Sequence, residues 1–506
     1  MNVITTIERI ARRRGDSLAL RCADATYSYR ELIDTASRFA GFLERHGIRA
    51  GDRVAFYMHN DPSFIPALLG VWKAGAVAVP LNYLFPPAAL RHAAIDSGAR
   101  LIITPAEDLD RLRAALAGTA LEHEIVTATP AAGALVSFDE AISGDPLPTT
   151  VPRLDGDDAL LMYTSGSTGT PKGVRQTHRN TSAQSEAVID QWAITEDDSA
   201  LVCTPLFHVG GLQLITLPVL LAGGTVTLRR WNVDAYLADA RRLHPTVIAI
   251  VPAMLIDIVN RLGDEAAPSL HSVRVCMVGG SAMPEARLKK FTDLTGVTPV
   301  NIYGQTEQSG LAIAEDLDEE RRYGSLGRPL EQVVQWQIVP VGTTEPLPRG
   351  SGEVGELWVR GDAVTPGYWQ LPEANRKKFS DGWFRTTDLV REAADGFIYY
   401  VERADDMIIS GGENVYPQMV EGHLQACPLI AEVAIIGTHH ERFTEQVTAI
   451  VVPARPDVTS DDIAAYCETQ PDLRGLQRPR RIEIVEAIPR TATNKVDRPL
   501  LRSKFR

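Results

Sequence analysis

One run of eleven residues concentrates groups that could hold a phosphate. Residues 163–173 read Tyr-Thr-Ser-Gly-Ser-Thr-Gly-Thr-Pro-Lys-Gly, with three glycines, six hydroxyl side chains and one lysine. Glycines allow several backbone N–H groups to turn toward one point, and hydroxyl groups add donors around an oxyanion. Lys172 supplies the countercharge. The composition of this run therefore predicts a phosphate-binding loop.

The order of these residues differs from that of the common nucleotide-binding P-loop. In the P-loop pattern G-x-x-x-x-G-K-[ST], the lysine opens a helix and precedes a hydroxyl residue. Here Lys172 lies between Pro171 and Gly173. A glycine- and serine-rich surface linker is the alternative explanation for such a composition. The other polar motifs of the chain help to decide between a phosphate-binding loop and a surface linker.

A second polar motif lies at residues 301–307, which read Asn-Ile-Tyr-Gly-Gln-Thr-Glu. Its aromatic ring suits stacking on a base. Its carboxylate suits a metal-bound phosphate, because a hard cation such as Mg²⁺ prefers oxygen ligands. A strand-to-helix turn with a buried tyrosine is the structural alternative for this motif taken alone.

The two motifs resemble the signatures of the adenylate-forming superfamily, which includes acyl-CoA synthetases, firefly luciferases and the adenylation domains of nonribosomal peptide synthetases. The resemblance implies that Tyr303 stacks on adenine, that Thr306 lies near the α-phosphate and that Glu307 binds Mg²⁺. The residues expected to bind ATP are Thr164, Ser165, Gly166, Ser167, Thr168, Gly169, Gly280, Ser281, Tyr303, Asp388 and Arg403.

Three residues nearer the C-terminus match further functional positions of the superfamily. Asp388 matches an aspartate that accepts hydrogen bonds from both ribose hydroxyls, and Arg403 matches an arginine that also reaches the ribose. Lys495 matches the lysine that contacts the substrate carboxylate and the α-phosphate during adenylation. The resemblance therefore implies that Lys495, Thr306 and Lys172 are the catalytic residues.

Four positions depart from the usual pattern of the superfamily. Glycine is usual where this chain has Thr387, Glu402 and Asn494, and an acidic residue is usual at Met419. Glycine permits positive φ, asparagine tolerates it, and threonine resists it. The departures at Thr387 and Glu402 therefore concern local backbone geometry next to the functional side chains.

The acyl pocket is expected around the run Pro-Leu-Phe-His-Val-Gly-Gly at residues 205–211. Its histidine, His208, resembles the family's histidine beside the acyl pocket, and a satisfied core histidine is the alternative. The expected pocket residues are His208, Val209, Gly304, Ser309 and Gly310. Glycines at this site indicate room for an aromatic or medium-chain acyl group.

The elements that must position these residues follow an α/β pattern. Helical and strand patterns alternate over residues 1–150, with a helix opening at Tyr29, a strand at residues 53–57, a helix at 64–74 and a strand that stops at Pro80. Further strands are indicated at residues 246–251 and 273–278. Alternation of this kind predicts a parallel sheet covered by helices.

The C-terminal third of the chain has a different pattern of predicted secondary-structure elements. Short strands separated by Gly and Pro over residues 324–401 predict an antiparallel sheet or small barrel. After Arg403 the pattern begins again, with a helix at residues 417–426 and strands at 433–436 and 448–452. We therefore expect an N-terminal domain of residues 1–403 and a small, mobile α+β domain of residues 404–506, with Asp405 as the hinge that the resemblance implies.

Charge and cysteine usage narrow the class of protein. The chain has 506 residues, more than one core usually supports, and a net charge of −13, which argues against a nucleic-acid binder. The five cysteines are scattered and predict neither a zinc site nor a disulfide framework. The N-terminus lacks the apolar segment of a signal peptide, and the apolar stretch of residues 212–228 is interrupted by Pro and Gly. A cytoplasmic protein is expected.

The resemblance implies an acid–CoA ligase that forms an acyl-AMP from a carboxylic acid and ATP with Mg²⁺, and then transfers the acyl group to CoA. An adenylate-forming enzyme that passes the acyl group to a carrier protein in trans or to an amine is one alternative. A nucleotide-binding regulator without turnover is another. A homodimer is the expected assembly if the chain is not monomeric.

Overall fold

The computed structural model describes residues 2–164, 170–263, 270–281, 283–411, 413–470, 473, 475–490 and 496–505. The chain divides into two compact units. The first unit comprises Met1–Trp336 and Val359–Phe384, and the second comprises Gln337–Trp358 and Arg385–Arg506. The fold is α/β, with a large N-terminal part and a small C-terminal part, as the sequence predicts.

The helices of the described residues are α1 Val3–Arg14, α2 Tyr29–Arg45, α3 Phe64–Lys73, α4 Pro87–Asp96, α5 Leu109–Leu116, α6 Phe138–Ala141, α7 His178–Gln191, α8 Val209–Gly211, α9 Leu217–Ala222, α10 Val233–Leu243, α11 Pro252–Leu262, α12 Glu285–Thr295, α13 Pro372–Lys378, α14 Pro417–Gln425, α15 Ser460–Thr469 and α16 Arg498–Lys504. A π-helical turn, Leu212–Thr216, separates α8 from α9.

The strands are β1 Leu18–Cys22, β2 Ala25–Ser28, β3 Arg53–Tyr57, β4 Val77–Leu81, β5 Ala99–Thr104, β6 Ile125–Thr127, β7 Val136–Ser137, β8 Asp158–Thr164, β9 Lys172–Thr177, β10 Ser199–Val202, β11 Thr225–Leu228, β12 Val247–Ile250, β13 Val275–Gly279, β14 Val300–Tyr303, β15 Ile313–Ala314, β16 Ser325–Pro329, β17 Gln335–Val339, β18 Val354–Arg360, β19 Phe379–Ser380, β20 Trp383–Glu392, β21 Ile398–Arg403, β22 Ile408–Ser410, β23 Glu413–Val415, β24 Ile430–His440, β25 Thr444–Pro453 and β26 Arg481–Ile484.

The first unit contains two sheets. The strands of one follow the order β7-β6-β5-β3-β4-β8-β9, parallel except for the antiparallel pair β8–β9. Its core packs apolar residues of β3 to β5 against α4 and α5. The prediction that β4 stops at Pro80 is wrong, because Pro80 and Leu81 remain in register with Phe56 and Tyr57 of β3.

The second sheet of this unit contains the strands β16-β15-β14-β13-β12-β10-β11-β1-β2 in that order. The pairs from β1 through β14 are parallel, and β2, β15 and β16 add antiparallel pairs. β12 and β13 confirm the strands predicted near residues 246–251 and 273–278. Parallel strands end at the same edge, so the loops after β13 and β14 lie together.

The second unit contains most of the remaining strands. Four strands follow the order β17-β18-β20-β21, with β20 and β21 antiparallel. A separate sheet has the order β23-β22-β25-β24, and β26 pairs with β25. Its apolar face packs against α14 and α15, which confirms the predicted α+β pattern near the C-terminus.

The predicted domain boundary between residues 403 and 404 falls inside the second unit, so it remains a prediction about where a mobile domain begins. In the part of the chain that the structure describes, no helix combines the length and apolar character needed to cross a membrane.

Candidate active site

The predicted phosphate-binding loop joins two antiparallel strands. β8 ends at Thr164 and β9 begins at Lys172, and these two residues are register partners. The predicted ATP-binding residue Thr164 and the predicted catalytic residue Lys172 are thus brought together. The predicted residues Ser165, Gly166, Ser167, Thr168 and Gly169 lie outside the described residues.

Tight packing surrounds the base of this loop. A Cβ atom on Gly173 would lie 3.0 Å from Leu161, 3.1 Å from Tyr163 and 3.3 Å from Trp369, so a larger residue would crowd all three side chains. The hydroxyl of Tyr163 donates a 2.6 Å hydrogen bond to Asp96, and burial together with this bond raises its pKa. Tyr163 therefore holds the base of the loop instead of adding a donor to the phosphate cradle.

The motif at residues 301–307 lies at the carboxyl end of β14. Tyr303 is the last residue of β14, and Thr306 begins a short 3₁₀ turn, Thr306–Gln308. Gly304 is required between them, since a Cβ there would lie 2.3 Å from the carbonyl oxygen of Gly310. The Gly280 and Ser281 positions directly follow β13, the neighbour of β14, so the topology brings them to the same edge as Tyr303.

Direct hydrogen bonds join this motif to β9. The side-chain amide of Gln176 donates to the carbonyl oxygen of Thr306 over 2.7 Å. The backbone N–H of Thr365 donates to the carbonyl oxygen of Glu307 over 2.8 Å. Thr306 is buried, whereas Glu307 is half-buried. Lys172, Thr306 and Glu307 are therefore linked within one unit although 134 residues or more separate the lysine from the other two.

The carboxylate of Glu307 and the ammonium of Lys172 both face Tyr368. The phenol of Tyr368 donates a 2.7 Å hydrogen bond to Glu307 Oε1. Lys172 Nζ lies 6.0 Å from the centroid of the same ring. Sequence reasoning missed Tyr368, because it lies 61 residues after Glu307 and no polar motif surrounds it.

The predicted acyl-pocket residues have different local roles. His208 is exposed and its Nδ1 accepts the N–H of Gly210, so the alternative of a core histidine is wrong. Val209 and Gly310 are neighbours, since a Cβ on Gly310 would lie 3.3 Å from Val209 Cβ. Ser309 is fully buried and its hydroxyl donates to the carbonyl oxygen of Ala363 over 2.8 Å. That hydroxyl is therefore already hydrogen-bonded within the protein.

In the second unit, the structure brings together the two residues expected at the ribose. Asp388 and Arg403 are register partners on β20 and β21, and Arg403 Nη1 lies 3.0 Å from Asp388 Oδ1. The aspartate is buried. Its neighbour Thr387 has φ +61°, the left-handed conformation that glycine adopts most easily. Glu356 accepts the N–H of Thr387 over 2.8 Å and helps to hold this turn.

A second departure from the usual pattern, Glu402, is fully buried. Its carboxylate accepts the N–H groups of Arg403 over 2.8 Å and of Gln418 over 2.7 Å. Burial raises the pKa of Glu402 to about 7, although these bonds and the nearby Arg498 act in the opposite direction and Asp406 adds repulsion. In the sequence, the unusual residue type at position 402 was the only indication of this buried carboxylate.

The predicted hinge is joined to the C-terminal helix. The carbonyl oxygen of Asp405 accepts from Arg502 over 3.2 Å, and Asp406 pairs with Arg502 at 3.1 Å. Arg498, also on α16, donates to Glu421 over 2.7 Å. The predicted catalytic Lys495 lies outside the described residues.

Known proteins are similar to this chain in both sequence and fold. A feruloyl-CoA synthase of Amycolatopsis sp is 35% identical over 500 residues, covering 98% of this chain and 98% of that protein. A sulfoacetate–CoA ligase of Cupriavidus necator is 32% identical, covering 89% of this chain and 87% of its own length.

Two solved structures are similar over nearly the whole chain. ATP-bound MatB from Rhodopseudomonas palustris has a TM-score of 0.89 and 27% identity, and the match covers 100% of this chain and 99% of that one. An o-succinylbenzoate CoA synthetase from Bacillus subtilis, in complex with ATP and magnesium ion, has a TM-score of 0.84 and 27% identity, with 98% of each chain covered.

Family models agree with these matches. The model of the AMP-binding enzymes matches residues 7–369, and the model of their C-terminal domain matches residues 419–495. The loop, the strand-end motif and the paired Asp388 and Arg403 thus lie on a fold shared with ATP-binding relatives, and the chain belongs to the AMP-binding enzyme family, within the adenylate-forming superfamily.

Proposed function

We propose that this protein, an AMP-forming acid–CoA ligase, activates an aromatic carboxylic acid at the site built from β9, the motif after β14 and Tyr368. The observation that supports this assignment most directly is the linkage of Lys172, Thr306 and Glu307 within one unit. These residues supply a cation, a backbone-anchored hydroxyl residue and a carboxylate next to the predicted phosphate loop.

The reaction proceeds in two transfers. A carboxylate oxygen of the acid attacks the α-phosphorus of ATP, a new P–O bond forms, and the bond to pyrophosphate breaks. The CoA thiolate then attacks the carbonyl carbon of the acyl-AMP and a C–S bond forms. The bond from that carbon to the phosphate-linked oxygen breaks, and AMP leaves with this oxygen, which came from the acid. Both steps bring negative groups together, so preorganised positive charge is the main requirement on the protein.

The residues present fit a Mg²⁺ ion held jointly with ATP. Glu307 offers a half-buried carboxylate, and a single carboxylate with phosphate oxygens is a common way to hold Mg²⁺. Bound Mg²⁺ would neutralise phosphate charge. Lys172 lies at the base of the loop, where its ammonium would pair with phosphate oxygens.

Other residues are assigned by the resemblance. Tyr303 would stack on adenine, with Gly280 and Ser281 at the same strand edge. Asp388 would accept the ribose hydroxyls, and Arg403 would orient this carboxylate, which it already contacts. Lys495 would contact the acid and the α-phosphate in the first transfer.

The choice of an aromatic acid rests on the pocket positions. Gly310 packs closely against Leu214 and Val209, since a Cβ on it would lie 2.9 Å from Leu214 Cδ2 and 3.3 Å from Val209 Cβ, and His208 is exposed beside Val209. A flat ring suits a space walled by backbone and apolar side chains. The similarity to a feruloyl-CoA synthase supports the same class of acid.

Two further assignments complete the proposal. All five cysteines are buried and free of disulfides, which supports the predicted reducing, cytoplasmic location. A homodimer remains a prediction, and light scattering of the purified protein would test it.

A panel of acids would test the function. Ferulate, benzoate, octanoate and sulfoacetate are each incubated with ATP, Mg²⁺ and the protein, with and without CoA, and AMP and thioester are quantified. We expect AMP and thioester with an aromatic acid and CoA. AMP without thioester would favour a carrier protein or an amine as acceptor, and no turnover with any acid would favour a regulator. Preference for octanoate or sulfoacetate would overturn the aromatic assignment alone.

A further inference from the structure

One aromatic side chain contacts both charged groups proposed to act on Mg²⁺-ATP. The Tyr368 hydroxyl donates to Glu307 Oε1 over 2.7 Å, and Lys172 Nζ lies 6.0 Å from the centroid of the Tyr368 ring. The ring therefore stands where it can interact with the ammonium through its face and with the carboxylate through its hydroxyl.

The position of this ring is held from several sides. Tyr368 is only 6% exposed. Its N–H donates to Asn375 Oδ1 over 2.7 Å, and its carbonyl oxygen accepts from Asn375 Nδ2 over 3.0 Å. An isolated β-bridge joins it to Val174, and the next residue, Trp369, donates its N–H to Gly173 over 2.7 Å. The tyrosine is thus fixed to the strand that begins with Lys172.

This arrangement bears on the charge of the site. Within the part of the chain that the structure describes, no ion pair joins Lys172 to Glu307. Such a pair would neutralise the ammonium needed by the phosphates and occupy the carboxylate needed by Mg²⁺. A phenol hydrogen bond leaves the carboxylate its full negative charge, and a carboxylate has further lone pairs with which to bind a cation.

We propose that Tyr368 is a positioning residue for the adenylation step, which orients the Glu307 carboxylate toward Mg²⁺ and keeps it from pairing with Lys172. This inference rests on the proposed function, because it assigns Mg²⁺-ATP to the same site. It predicts that the hydroxyl of Tyr368 affects the requirement for Mg²⁺ more than it affects recognition of the acid.

The test is Tyr368→Phe, which keeps the ring and removes the hydroxyl. We measure acyl-AMP formation against free Mg²⁺ at saturating ATP and acid. The loss of one hydrogen bond to a charged group should raise the Mg²⁺ concentration for half-maximal rate about tenfold. The rate should recover at saturating Mg²⁺, and the KM for the acid should not change. Tyr368→His keeps an aromatic ring with an N–H donor. Its Mg²⁺ concentration for half-maximal rate should lie between those of the wild-type protein and Tyr368→Phe.

Tyr323→Phe is the matched control, because Tyr323 also lies beneath a lysine, Lys289 Nζ at 4.9 Å, but is 39% exposed. It should leave the Mg²⁺ dependence unchanged. In a Glu307→Gln background, Tyr368→Phe should add no further loss, since its partner charge is gone.

Two results would overturn the inference: an unchanged Mg²⁺ dependence in Tyr368→Phe, or an equal fall in rate at every Mg²⁺ concentration. Additive losses in the double variant would also contradict it. Failure of the wild-type protein to form AMP in a Mg²⁺-dependent reaction would instead refute the proposed function.

Discussion

In the first unit Lys172 and Glu307 both lie beside Tyr368 and no ion pair between them is found among the described residues, whereas in the second unit the charged residues near the predicted hinge pair directly with one another. There, Arg502 pairs with Asp406 and Arg498 donates to Glu421. The first arrangement leaves charge to be satisfied by a ligand. The second satisfies its charges internally.

The difference indicates two uses of charge in one chain. A site that binds Mg²⁺ and phosphates needs groups whose charges remain available, because preorganised charge is what stabilises the transition state. Charged residues for which no ligand partner is expected are better paired with one another, since an unpaired buried charge is costly. Substitutions in the two regions should therefore have different effects on the protein.

Glu307→Gln should have the largest effect. It removes the charge proposed to bind Mg²⁺ while keeping an acceptor for the Tyr368 hydroxyl, so we expect adenylation at limiting Mg²⁺ to fall on the order of 10²-fold. Binding of the acid, measured without ATP, should not change. Glu319→Gln, at a carboxylate that forms an exposed ion pair with Arg328, is the control. Unchanged adenylation at limiting Mg²⁺ would refute the assignment of Glu307.

Asp405→Pro should have a large effect confined to one transfer. The N–H groups of Asp406 and Met407 both bond to the carbonyl oxygen of Arg403, so Asp405 lies inside a turn. Proline restricts φ to about −65° and would limit rotation there. We expect thioester formation from preformed acyl-AMP to slow far more than pyrophosphate release. Asp405→Ala, which removes only the carboxylate, should spare both transfers. Survival of both transfers in the proline variant would mean that the rotation is unnecessary or that the hinge lies elsewhere.

Glu402→Gln should change the pH dependence of stability. The pKa of Glu402 is raised from 4.5 to about 7, so the native protein binds more protons than the unfolded chain between these values. The associated stability is present below pH 4.5 and is lost as the pH rises to about 7. This loss amounts to roughly 3 kcal/mol.

The glutamine variant should therefore show a flatter free energy of unfolding between pH 4.5 and 7, measured by urea denaturation. Glu413→Gln, at an exposed carboxylate of β23, should keep the wild-type slope. A wild-type slope in Glu402→Gln would show that burial does not control this carboxyl group.

Thr387→Gly should have the smallest effect. The left-handed φ of Thr387 costs on the order of 1 kcal/mol, which glycine would relieve, but the hydroxyl also accepts from Arg403 over 2.7 Å. These contributions nearly cancel, so the free energy of unfolding should change by less than about 1 kcal/mol. Thr387→Val, which keeps the strain and loses the hydroxyl, should destabilise by more. A strongly destabilised glycine variant would show that the hydrogen bond outweighs the strain.

Local sequence was sufficient for much of the fold. The strand at residues 53–57 and the helix opening at Tyr29 agree with the structure, because hydrophobic periodicity and the Ser28 cap specify them locally. The need for glycine at position 304 is explained by a contact only six residues away in sequence. The family, and with it the class of reaction, followed from motifs of a few residues each.

Contacts between distant segments were decided only by the tertiary structure. The sequence placed Tyr163 in the hydroxyl-rich run and Ser309 among the pocket residues, but only packing directs these hydroxyls to Asp96 and to the carbonyl oxygen of Ala363. Nothing near Tyr368 in sequence indicates its contact with Glu307. A hydroxyl bonds to whichever acceptor the packing of strands and helices brings within about 3 Å, and that neighbour is a property of the folded chain.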